Sequence, residues 1–336
     1  MRRVIALALV LAATVLAGIA LVAIPVATAK QSETRLSLVA YSTPREAYNA
    51  LIPEFQKTHD GVSFSESYGG SGDQTRAVKA GLRADIVALS LAPDVDELVA
   101  AGLVDANWKR QAYRGMVTRS LVVFVVRDGN PKKIFGWNDL IRKGVQVVTP
   151  NPFTSGGARW NVMAAYGAQR KLGKTDRQAQ DYLLKLFRHV VSQDKSARDA
   201  LQTFNAGRGD VLLAYENEAL FAQSRGQKLP FRIPRSTILI ENPIAVVKTS
   251  DHKAEATAFL RFARTPVAQR IFAQNGYRPV NKVVAAELTK KFPARPGQFT
   301  IDQLGLGGWT KVQKRFFDPR TGIMARIERQ VGGGTG

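Results

Sequence analysis

The chain has no cysteine among its 336 residues. Disulfides, thiolate metal sites, cysteine nucleophiles and a lipid-modified N-terminal cysteine are therefore excluded. Histidine is almost as scarce. His59, His189 and His252 are the only ones, and they lie far apart. "KTHDG" and "SDHKA" put two of them in polar, loop-like settings, so no histidine cluster suggests a metal site or a catalytic dyad. Acidic residues are also short in number: 27 Asp and Glu face 48 Lys and Arg, leaving a net charge of +21. That excess attracts anions of any size. The cations are dispersed, without interleaved stacking aromatics or a nucleic-acid-binding motif, so nucleic acid is not an expected partner.

Long apolar runs are missing except at the start. "MRR" precedes an uncharged stretch from Val4 to Ala29 that ends in Pro25 and Ala27-Thr28-Ala29. A basic head, an apolar segment and an A-x-A site read as a secretory signal over residues 1–29. The run is longer than the usual ~7–15-residue apolar region and reaches the ~20 residues that span a bilayer, so an uncleaved anchor is the alternative. Both place the folded part outside the cytoplasmic membrane.

Beyond Lys30, strand-like and helix-like segments alternate. "LSLVAYS" is followed by "PREAYNALIPEFQKTH", "VSFSESY" by "QTRAVKAGL", and "ADIVALS" by "APDVDELVAAGL". This order predicts an α/β fold with largely parallel sheets. "SLVVFVVRDGNP" and "VQVVTPNP" are further strands, and one long helical region is expected from Arg159 to His189. "GDVLLAYENEAL" is a strand leading into a helix, and "STILIENPIAVVK" is a strand pair or a crossing. A glycine-rich tail, residues 331–336, reads as disordered.

Three strand ends carry small hydroxyl or glycine residues just before a helix. They are Ser42-Thr43-Pro44, Gly69-Gly70-Ser71-Gly72 and Thr154-Ser155-Gly156-Gly157. The first N–H groups of a helix have no intrahelical acceptor, and the macrodipole there favours negative charge. Glycine lets the backbone approach a ligand, and serine adds a donor. In an open parallel sheet such ends face one crevice. Each loop has a plainer reading as an ordinary N-cap or turn. Together they predict a small-anion site.

"YGGSGDQTRAV", "ADIVALSLAPDVDEL", "GVQVVTPNPFTSGGARWN", "GDVLLAYENEAL" and "FTIDQLGLGGWTKVQ" resemble the periplasmic sulfate-binding proteins of ABC importers. These form a branch of the two-lobed type II solute-binding proteins. The resemblance implies two α/β lobes joined by a hinge, residues 36–119 with 247–330 and residues 120–246. It implies a monomer that closes on a dianion and delivers it to a membrane permease, with no cofactor, no metal and no catalysis. Carried over motif by motif, the donors are the hydroxyls of Ser71 and Ser155 and the N–H groups of Ser42, Gly156, Gly157 and Ala197. Tyr215 stands where the family has a tryptophan whose indole N–H donates, and Ser42 stands where it has aspartate. Both leave sulfate against thiosulfate open, with molybdate, tungstate or phosphate as further alternatives. Arg159 and Arg198 are expected behind the donors or in lobe packing. A serine hydrolase at "GGSGD" is the distant reading, since no histidine is placed to serve Ser71, and a basic polyanion-binding module is another.

Overall fold

The computed structural model describes residues 33–334, so the expected signal or anchor lies outside the described part. Glu33–Gly336 is one compact unit. Thr34–Tyr41 (β1) leads to α1 (Arg45–Gln56), Val62–Gly69 (β2) to α2 (Ser71–Lys79), and Ile86–Ala88 (β3) to α3 (Ala92–Ala100). Strand β4 (Met116–Val126) is followed by β5 (Val147–Pro150), α4 (Gly156–Lys171) and α5 (Asp176–Arg188). Then come β6 (Val190–Asp194), α6 (Ala197–Asn205), β7 (Val211–Tyr215), α7 (Glu216–Ser224), β8 (Phe231–Arg232) and β9 (Thr237–Val246). The remainder is α8 (Lys253–Phe262), α9 (Pro266–Gln274), β10 (Arg278–Pro279), α10 (Lys282–Glu287), β11 (Gln298–Phe299), α11 (Gly308–Phe317) and α12 (Ile323–Val331).

The strands lie in the order β2-β1-β3-β9-β4-β7-β5-β6. At one end β1 pairs parallel with β2 and β3; at the other β5 pairs parallel with β6 and β7. Joining them are two long antiparallel strands. β9 pairs through Ile244–Val246 with β3 and through Leu239–Pro243 with β4, while Val122–Val126 of β4 pairs with β7. "STILIENPIAVVK" is thus one continuous strand that crosses between two half-sheets.

The long helical region is two helices. Gly173 adopts φ +78 after α4, and Thr175 caps α5 by accepting the Gln178 N–H. A left-handed glycine followed by a capping threonine stops one helix and starts the next. Every residue of α4 from Gly156 to Gln169 is buried, as suits a helix with packing on all sides. Asn161 ties it to the sheet, donating to Thr149 Oγ1 and to the Leu213 carbonyl, both at 3.0 Å.

One core gathers Leu36, Leu51, Phe55, Ile86 and Phe259 on the first half. Another gathers Phe124, Trp160, Tyr166, Leu183 and Val211 on the second, and it also takes in Val312, Phe316, Ile323 and Ile327. The last two helices therefore pack on the second core, although chain order assigns residues 247–330 to the first half, and α11 also meets α3 through Trp309. Their apolar faces match the open side of that second core, and Phe316 stacks edge-on against Tyr166. The tail differs from expectation too. Val331 closes α12, Gly332 caps it at φ +79, and the Gly333 N–H returns to the Glu328 carbonyl.

Candidate anion-binding site

Five strands end at one crevice, and each hands over to a helix. Ser42 follows β1, Ser71 opens α2 after β2, and Ser155 precedes α4 after β5. Ala197 opens α6 after β6, and Tyr215 ends β7. Their contacts form a continuous chain. The Ser71 hydroxyl accepts the Ser90 N–H at 2.9 Å, and Ser90 Oγ lies 2.6 Å from the Tyr215 hydroxyl. A Cβ on Gly157 would meet the Tyr215 ring at 2.8 Å and Ala197 Cβ at 3.2 Å. The Arg198 N–H, next to Ala197, donates to Ser42 Oγ at 3.4 Å. All seven residues that the sequence nominated as donors thus meet in one place.

The two half-sheets touch here. The Gly72 N–H donates to the Thr154 carbonyl at 2.9 Å, and Thr154 Oγ1 donates to the Lys195 carbonyl at 2.8 Å. A Cβ on Gly156 would overlap Ser90 and Leu91, and one on Gly70 would meet the carbonyls of Thr154 and Lys195 at 2.7 Å. Glycine is required at Gly70 by the approach of backbone carbonyls and at Gly156 by the Ser90 and Leu91 side chains pressed against its backbone.

Ser155 decides between cap and socket. It holds the N-cap position of α4 at φ −106, ψ 124, yet its side chain makes no capping hydrogen bond. It is only 2% exposed, and its hydroxyl has no protein partner among the described residues. The N–H groups of Ser71, Gly156, Gly157 and Ala197 likewise find no protein acceptor among the described residues. A buried donor left unpaired costs about 1–3 kcal/mol, and several converging ones define a place for an acceptor. Three helix N-termini add their positive ends to it.

Charged side chains stand one layer behind. Arg159 is buried, donating from Nη1 to Asp94 Oδ1 at 2.8 Å and from Nε to the Pro152 carbonyl at 3.0 Å. Asp94 Oδ2 accepts the Ser71 hydroxyl at 2.5 Å. Burial raises the Asp94 carboxyl above its usual range, against the pull of Arg159 and Ser71. Arg198 grips Glu46 at 2.6 and 2.8 Å and Glu218 at 2.9 and 3.0 Å. For Glu46, burial works upward, but the bonds and charge of Arg198 outweigh it and hold the carboxyl low. Glu218, fully enclosed, is raised by burial in spite of the same guanidinium. Burial also holds the Tyr215 hydroxyl well above the ordinary tyrosine range, so it remains protonated.

Sequence reasoning passed over Ser90 and Asp94. Ser90 is fully buried; its carbonyl accepts Trp160 Nε1 at 3.0 Å and Asn242 Nδ2 at 2.8 Å, while its hydroxyl faces Tyr215. The signal was present: "ALSLAPD" is a fourth strand end with serine before a helix, and Pro93 sits in its first turn. The Tyr215 hydroxyl shares one hydrogen bond with Ser90 Oγ, and its proton is free for a ligand when Ser90 is the donor.

Two α/β halves, crossing strands and a donor-lined crevice define a two-lobed solute-binding protein of the type II periplasmic fold. The chain belongs to the bacterial extracellular solute-binding proteins, whose family description matches residues 36–278. It is 41% identical to the sulfate-binding protein of Synechocystis, over 90% of this chain and 89% of that one. It is 42% identical to the sulfate-binding protein of Escherichia coli K12, over 85% and 90%. The thiosulfate-binding protein of Pseudomonas aeruginosa is 35% identical over 83% and 88%. Among solved structures, the sulfate-binding protein SubI of Mycobacterium tuberculosis superposes with a TM-score of 0.81 at 43% identity, covering 85% of this chain and all of that one.

Proposed function

We propose that this chain is an extracytoplasmic receptor that captures sulfate between its two lobes and hands it to the permease of an ABC importer. The observation that carries the reading is Ser155, a buried residue whose hydroxyl stands at a helix start without capping it. Sulfate has no proton at neutral pH and needs donors only. The unpaired N–H groups of Ser71, Gly156, Gly157 and Ala197 supply them, and the nearby Asp94 carboxylate is turned into Arg159 and Ser71. Each bond to a charged group is worth roughly 1.5–3 kcal/mol. The set therefore reaches the roughly 8 kcal/mol of micromolar affinity with a remainder for dehydration. The names of relatives 41–43% identical support sulfate.

The lobes would turn about β4 and β9. Arg198, which links Glu46 on α1 to Glu218 on α7, would hold them shut. Our reading is binding without catalysis, supported by the Ser71 hydroxyl, which donates to the Asp94 carboxylate. Monomeric action outside the cytoplasmic membrane completes the reading. Calorimetry on the unit from Glu33 onward, with sulfate, thiosulfate, molybdate and phosphate, tests it. Sulfate should bind in the micromolar range or tighter, and tight phosphate binding without sulfate binding would sink the assignment.

A further inference from the structure

One face of α11 lies behind α4 and supplies none of the nominated donors. Trp309, Gln313 and Phe317 stand four residues apart, so they share one side of that helix. The Trp309 ring meets the Trp160 ring edge-on, with centroids 4.7 Å apart. Gln313 Oε1 lies 3.5 Å from Arg159 Nη1, and the Arg159 guanidinium stands 5.9 Å from the centre of the Phe317 ring. Three residues of α11 thus press on two consecutive residues of α4. Trp309 also packs on both sides of the molecule, against the second-half core and against the first-half core that includes Val95 and Leu98 of α3.

Trp160 and Arg159 carry the bonds that reach across to the first half. Trp160 Nε1 donates to the Ser90 carbonyl at 3.0 Å, and Arg159 Nη1 donates to Asp94 Oδ1 at 2.8 Å. Both arms then converge on one hydroxyl. The Ser90 N–H donates to Ser71 Oγ at 2.9 Å, and Ser71 Oγ donates to Asp94 Oδ2 at 2.5 Å. Ser71 is therefore held between Ser90 and Asp94, and each of these is held by a residue of α4 that α11 backs. An indole free to tilt or a guanidinium free to swing would let Ser90 and Asp94 shift, and Ser71 with them.

We propose that Trp309 and Gln313 are positioning residues for the anion site, setting from behind α4 how tightly the crevice holds its ligand. The inference rests on the anion-capture reading above and extends it to a helix that donates nothing to the anion. A donor that must be ordered as the anion arrives weakens binding, and one already ordered does not. An edge-on aromatic pair is strong enough to shift that ordering by about tenfold. The change should appear mainly in release, because affinity differences among variants of one site lie mostly in dissociation.

Calorimetry and stopped-flow release of sulfate test this on the unit from Glu33 onward, which contains every core cluster. Trp309→Ala should weaken sulfate affinity about tenfold and speed release by a similar factor, with one site per molecule retained. Trp309→Phe, which keeps a ring against Trp160, should restore affinity to within about twofold of wild type. Gln313→Ala should weaken it about threefold, and it keeps the test open if Trp309→Ala does not fold. Phe262→Ala is the control. It removes a half-buried ring of the first-half core, 5.5 Å from the Phe55 ring, and should lower the melting temperature with the sulfate Kd unchanged. A purely structural part for Trp309 would act in the same way, reducing the fraction of molecules that bind without altering their affinity. An unchanged Kd in whichever of Trp309→Ala and Gln313→Ala fold, or an equal loss of affinity in Phe262→Ala, would overturn the proposal. A wild-type protein that binds none of sulfate, thiosulfate, molybdate and phosphate would remove the capture reading itself, and this inference with it.

Discussion

Ser155 and Ser196 hold the same position, one residue before a helix and at the end of neighbouring parallel strands. Their side chains behave differently. Ser196 accepts the Asp199 N–H at 3.2 Å and donates to the Asp199 carboxylate at 2.8 Å, an ordinary cap. Ser155 is followed by Gly-Gly-Ala, has no such acidic side chain to engage, and makes no capping bond. The difference lies three residues downstream rather than in the serine. A hydroxyl that gives its proton to its own helix, as Ser196 does to Asp199, has none left for a ligand, whereas the Ser155 proton is available to one.

The largest effect should come from turning that free hydroxyl into a charge. Ser155→Asp removes a donor and sets a carboxylate about 4 Å from the anion, a repulsion of about 4 kcal/mol at intermediate dielectric. Sulfate affinity by calorimetry should drop about a thousandfold with the melting temperature nearly unchanged. Unchanged affinity would make Ser155 a mere turn residue. Ser196→Ala sharpens the contrast from the other side. Loss of a genuine cap should cost about 1 kcal/mol in denaturant unfolding. Affinity should shift far less than with Ser155→Ala, which should cost about tenfold or more.

The smallest expected effect concerns pH. Asp94 has a raised folded pKa, so its ionised form is disfavoured in the folded protein, and that penalty disappears as pH falls through the raised value. Protonation also removes negative charge from behind Ser71. Sulfate keeps its charge above its own second pKa, so its affinity should rise a few-fold as pH falls through the raised Asp94 pKa, on the order of one protonation event. Asp94→Asn should flatten this profile. A wild-type profile that is already flat, or that falls, would count against a role for Asp94 at the site.

Much of the architecture was legible because strand and helix signals alternate cleanly from Leu36 onward, and because "TSGGARW" names its own helix start. The convergence of Ser42, Ser71, Ser155, Ala197 and Tyr215 was legible through the strand-end rule and the family resemblance together. Less visible were features that depend on pairing across the chain. The break between α4 and α5 turned on Gly173, a single left-handed residue. Ser90 was hidden because its role is played through its carbonyl and N–H as much as its hydroxyl. The return of α11 and α12 to the second half could not be read from order along the chain, since their apolar faces fit either half by pattern alone.

That return sets the order in which the molecule can be completed. Val312, Phe316, Ile323 and Ile327 are synthesised well after Trp160 and Tyr166, and they close the core around them. A chain emerging N-terminus first holds the second half unsealed until α11 and α12 are free, because closure joins segments far apart along the chain. Loss of the closing helices would leave the Tyr166 face bare, so a truncated product should be marked for proteolysis while the intact chain is spared.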